Sequence, residues 1–72
     1  MILTDETHLV TDGPIQELHS FAQRIGLKRS WFQDHPVHPH YDLTSPRMVN
    51  RAINGGAQVV TSREIVRLFW GR

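Results

Sequence analysis

The chain has 72 residues, enough for one small domain, with no cysteine and a net charge of +1. Without cysteine there are no disulfides and no thiolate zinc sites, so a domain this small rests on its core, on a histidine/carboxylate metal site or on self-association. Self-association is the expectation. No segment is apolar for long enough to span a membrane, and MILTDETHLV lacks the pattern of a signal peptide, so a cytoplasmic protein is expected.

Ile2–Leu3 and residues 8–10 (HLV) read as short strands. Asp12 or Gly13 can then cap a first helix with Pro14 at its first position. Ile15, Leu18, Phe21, Ala22 and Ile25 form its apolar stripe, and Gly26 suits the left-handed turn that ends it. Residues 27–33 (LKRSWFQ) are expected to be extended, with Trp31 and Phe32 on opposite faces. The prolines in HPVHP forbid a helix there. HYDL at 40–43 alternates polar and apolar, as a half-buried strand does.

Thr44 or Ser45 caps a second helix with Pro46 at its first position. Val49, Ala52, Ile53 and Gly56 make its buried stripe, and Gly55–Gly56 end it. AQVV at 57–60 is a further strand. TSRE at 61–64 is a capping box for a third helix, which buries Ile65, Leu68 and Phe69 and ends at Gly71. The expected fold is α/β or α+β, a short sheet packed with about three helices in a single domain.

Three of the five histidines, His35, His38 and His40, fall within six residues. In polyproline geometry His35 and His38 share a face, and in a strand His40 and Asp42 do. Imidazole and carboxylate are acid/base groups and metal ligands, so His40, Asp42, His8 and His19 are the candidates for catalysis. His8, Asp12 and His19 would lie together if the first strand ends against the first helix, although Asp12 is more simply its cap. HPVHP itself reads as a stiff connector.

The charge is uneven. Residues 1–23 hold four acids and no Lys or Arg, whereas residues 24–72 hold eight bases and three acids. This falls short of the basic stripe of a duplex binder, so nucleic acid is not an expected partner. Arg47 and Arg51 are four apart on the second helix and share a face suited to phosphate or carboxylate. His40, Tyr41, Asp42, Thr44 and Ser45 lie at the start of that helix, and with Arg47, Arg51 and an aromatic platform at Trp31 they form the expected ligand site. Trp70 is a candidate interface residue.

HLVTD at 8–12, ELHSFAQRIGL at 17–27, SWFQ at 30–33, HPHYDLT at 38–44 and RMVNRAINGGA at 47–57 together resemble the small bacterial and phage family catalogued as domain of unknown function 4031. The family-like positions include His8, Asp12, Glu17, His19, Arg24, Trp31, His40, Asp42 and Arg47. Only seven residues precede His8, where the family commonly has a longer opening strand. The resemblance implies no established activity, but it moves attention from His35 to His40 and Asp42.

The leading expectation is a small homo-oligomeric module that binds a phosphate-containing small molecule, such as a nucleotide or nucleotide signal, without cofactor or catalysis. A hydrolase of phosphodiesters or nucleotides, in which His8, His19, His40 and Asp42 supply acid/base or metal-ligand groups, is the first alternative. A protein-interaction module built on Trp70 is the second.

Overall fold

In the computed structural model, residues 1–70 are described, with Phe69 and Trp70 as backbone only. The expectations for the Phe69 and Trp70 side chains and for the helix end at Gly71 lie outside the described residues. Five short strands, β1 (Ile2–Thr4), β2 (His8–Thr11), β3 (Phe32–Gln33), β4 (His40–Asp42) and β5 (Gln58–Val59), form one sheet in the order β3-β4-β2-β1-β5. Helices α1 (Ile15–Arg24), α2 (Pro46–Asn54) and α3 (Ser62–Trp70) complete the α+β domain. Only β1 and β5 run parallel; the other neighbouring pairs are antiparallel.

Side-chain alternation sorts the strands into two faces. Leu9 pairs with Tyr41, and Tyr41 with Phe32, on one face. There they meet Ile2, Leu18, Phe21, Ala22, Leu43 and Ala52, so α1 and α2 cover this side. On the other face Leu3 and Val10 pack with Ile65, flanked by Val60 and Leu68, so α3 covers it. His8 pairs directly with Asp42, and Gln33 with His40, on this second face.

The helix signals act largely as read. The Ser45 hydroxyl accepts the Met48 N–H, and Pro46 starts α2. Thr61 and Glu64 exchange the two bonds of a capping box at the start of α3. Gly26 follows α1 with φ 90°, a conformation that a side chain resists. Pro14, rather than Asp12 or Gly13, takes the N-cap of α1, and no side chain caps it. Asp12 instead pairs with the Met1 amino group at 2.8 Å.

Two expectations need correction. Residues 29–31 are not extended; they form a single 3-10 turn closed by the bond from Trp31 N–H to the Lys28 carbonyl. That turn lets Phe32 pack against the core while Trp31 stays 38% exposed. Ile15 leaves the stripe of α1 for solvent, and Ile53 and Gly56 leave that of α2.

His19 lies on the first face, away from the other histidines, and its Nδ1 sits 2.9 Å from the buried Tyr41 hydroxyl. Burial, helped by the Arg29 charge and opposed by Asp34, lowers the His19 pKa from its ordinary value. Neutral His19 therefore accepts from Tyr41, and the ring packs edge-on against Phe32. No helix among the described residues is long and apolar enough to cross a membrane.

Tyr41→Phe should cost about 1 kcal/mol at pH 7, since it leaves the His19 nitrogen without its donor. The His19 contribution to stability is complete above its unfolded value of 6.5 and is lost as pH falls below it. Urea unfolding of both proteins at pH 7.5 and pH 5.5 tests this; equal midpoints at pH 7.5 would remove the hydrogen bond from the account.

Candidate metal centre

β1 and β2 are joined by a tight turn through Asp5, Glu6 and Thr7. Asp5 Oδ1 accepts the Thr7 and His8 backbone N–H groups at 3.0 and 2.7 Å, which closes the turn. Glu6 takes φ 73°, the left-handed conformation that this turn demands. Asp5 Oδ2 remains for two side chains: it lies 3.1 Å from His8 Nδ1 and accepts the Ser62 hydroxyl at 2.8 Å. One nearly buried carboxylate thus joins the hairpin, the His8 ring and the start of α3.

Burial alone would raise the Asp5 pKa. The hydrogen bonds from the His8 ring, the His8 N–H, Ser62 and the Thr7 N–H outweigh it and hold the group at about 2, against an ordinary 3.8. Asp5 is therefore an anion at neutral pH. It keeps the proton of His8 on Nδ1 and leaves Nε2 as the lone pair available to a ligand.

His40 is oriented in a matching way. Its Nδ1 lies 2.5 Å from the His38 carbonyl oxygen, a contact that requires N–H at that nitrogen. Its Nε2 then faces Asp42 Oδ1 at 3.2 Å. In the neutral ring Nε2 is a lone pair, so two electron-rich atoms stand at contact distance. Either a proton on Nε2 or a cation between the two atoms makes that arrangement favourable. Two ligands held ~2.0–2.1 Å from a tetrahedral ion lie about 3.3 Å apart, close to the spacing of this pair.

His8 supplies the third ligand. It packs edge-on against His40 at 5.2 Å between ring centres. One ligand atom from each of His8, His40 and Asp42 lies within 4.8 Å of the others. The register explains the convergence: His8 is directly opposite Asp42, and His40 is two residues before Asp42 on the same face. The three are partly buried, His40 most deeply, with 18% of its side chain exposed. Two imidazoles and one carboxylate, each imidazole oriented by an oxygen acceptor, form a donor set suited to a zinc-like or other divalent transition-metal ion.

A cavity of about 270 Å³ opens beside the cluster, lined by His8, His40, His35, His38, Val10, Ile65 and Val66 together with Asp5 and Ser62. Asp42 stands outside it and lines a neighbouring depression with Trp31 and Thr44.

The structure thus brings His8, His40 and Asp42 together and sets His19 on the opposite face. It divides the expected ligand site. Tyr41 points into the core, and Ser45 serves as a helix cap. α2 packs on the face opposite the cluster, with Arg47 and Arg51 exposed. Arg51 borders a shallow depression with Arg24, Ile25 and Asn54. His8, Asp12 and His19 do not meet: each has a separate partner in Asp5, the amino terminus and Tyr41.

Asp5 is the site residue that the sequence reading passes over. Its signal is the spacing in LTDETHLV, where an aspartate begins a turn between two apolar runs and a histidine follows three residues later.

These features define a small α+β domain with a two-histidine, one-aspartate centre on one sheet face. A family model described as "Protein of unknown function (DUF4031)" matches residues 4–71, and the chain belongs to that family. Comparisons with curated proteins and with solved structures each return no significant match.

Asp5→Asn should destabilise the protein by about 1–3 kcal/mol at pH 6, because the turn, His8 and α3 lose a charged acceptor. Its depressed pKa stabilises the fold fully above pH 3.8, and that contribution is lost as pH falls through about 2. The gap between parent and variant in urea midpoint should therefore shrink from pH 6 to pH 2.5. A gap that stays constant would mean that Asp5 does not act through its charge.

Proposed function

We propose that this domain binds one divalent transition-metal ion through His8, His40 and Asp42 and uses it to hold a small anionic ligand. The observation that carries the reading is the His40–Asp42 contact. Nε2 faces a carboxylate oxygen at 3.2 Å while Nδ1 is committed to a carbonyl, and His8 stands alongside with its own Nδ1 committed to Asp5. A three-ligand site leaves coordination positions for water and for an anionic oxygen. Phosphate-containing ligands, nucleotides among them, fit that chemistry. In this reading the anion is gripped by the ion, and Arg47 and Arg51 take no part.

Hydrolysis of a phosphate ester is the second reading. It is favoured by His35 and His38, which line the same cavity and bring imidazole acid/base groups beside the metal position. An ion there would activate water or polarise a phosphoryl oxygen.

Calorimetry with zinc chloride and manganese chloride, checked by elemental analysis, tests the first reading. One ion per chain is expected. His40→Ala and Asp42→Ala should each weaken binding by at least about tenfold, and Asp5→Asn by roughly 10–100-fold through His8. Arg47→Ala should bind the metal as the parent does. Metal affinity unchanged in both His40→Ala and Asp42→Ala would defeat the proposal. Incubation of the metal-loaded protein with bis(p-nitrophenyl) phosphate then separates the two readings: nitrophenol release that vanishes in His40→Ala supports hydrolysis, and no release leaves binding alone.

A further inference from the structure

The cavity beside the cluster carries information about the body of the ligand. Its apolar lining is Val10, Ile65 and Val66, three hydrocarbon side chains on β2 and α3. Several of the polar atoms that also line it are already engaged. Asp5 accepts from the Thr7 and His8 backbone and from Ser62, and its second oxygen meets the His8 ring, so neither Asp5 nor the Ser62 proton is left for a ligand. His35 Nδ1 accepts the Val37 and His38 N–H groups at 3.1 and 3.0 Å. The His35 and His38 rings stack at 5.5 Å between centres and both border the cavity.

Charge points the same way. No Lys or Arg is among the described residues that line the cavity, and Asp5 contributes a shielded negative charge. A polyphosphate or a densely hydroxylated ligand would give up hydration there without gaining a Lys or Arg partner. A flat apolar body would instead exchange water for Val10, Ile65, Val66 and the imidazole rings. Val66, at 50% exposure, still has hydrocarbon to cover.

We infer that the ligand of this site has a single anionic head and an apolar, ring-bearing body. The head meets the ion at His8, His40 and Asp42, and the ring lies in the cavity against Val10, Ile65 and Val66 beside the His35–His38 stack. This rests on the metal reading for the head only; the ring position depends on the cavity itself.

The test uses phenylphosphonate, methylphosphonate and glycerol 3-phosphate, titrated calorimetrically into zinc-loaded protein. They share a phosphoryl head and differ in body. Phenylphosphonate should bind on the order of tenfold more tightly than the other two, the gain from covering roughly 55 Å² of apolar surface. Val66→Asp should abolish that advantage. In parallel, phenol, which has no anionic head, is titrated into metal-free protein and followed by methyl NMR. Shifts confined to Val10, Ile65 and Val66 are expected. Zinc binding without a phenyl preference, or without phenol shifts at those methyls, overturns the ring assignment. Phenol shifts in a protein that takes up no zinc would overturn the metal reading and leave the ring assignment standing.

Discussion

The pairing of β2 with β4 is the constraint on which the rest depends. Leu9 opposite Tyr41 and His8 opposite Asp42 is a single register, and alternation then sends the first pair to one face and the second to the other. A slip of one residue would place His8 in the core beneath α1 and Leu9 in water. The cost of that exchange selects the register, because Leu9 and Tyr41 are almost wholly buried. The apolar core thereby assembles the polar site. Hydrophobic packing on the first face positions imidazole and carboxylate groups on the second.

Asp5 connects that site to the remainder of the domain. Its carboxylate closes the β1–β2 turn, orients His8 and holds Ser62 at the first turn of α3. α3 in turn places Ile65 over Leu3 and Val10 and supplies a wall of the cavity. The orientation of His8 and the docking of α3 therefore share one ionised group. A charge this enclosed is stabilising only because it accepts several hydrogen bonds, which is also why it stays ionised.

Much of the local structure was legible because its causes are local. Pro46 after Ser45, the Thr61–Glu64 box and Gly26 are contacts or backbone preferences within one turn of chain. The 3-10 turn at residues 29–31 was not, since an extended LKRSWFQ and a turned one bury Phe32 equally well in pattern; the position of β3 beside β4 chooses between them. His19 shows the same limit. Its place beside an apolar helical stripe is local, but its partner Tyr41 is 22 residues away.

For the candidate site, the sequence alone determined the chemistry on offer: no thiolates, a surplus of imidazole, and His40 and Asp42 on one strand face, because strand periodicity is a property of the chain itself. It also carried the family likeness that drew attention to His40 and Asp42 at the end of the histidine run. Only the tertiary structure decided that His8 joins His40 and Asp42 while His19 does not, that Asp5 stands behind His8, and that α2 packs on the opposite face. Those outcomes depend on strand order and register, which follow from burying both sheet faces at once, a sum over distant residues that no local pattern contains.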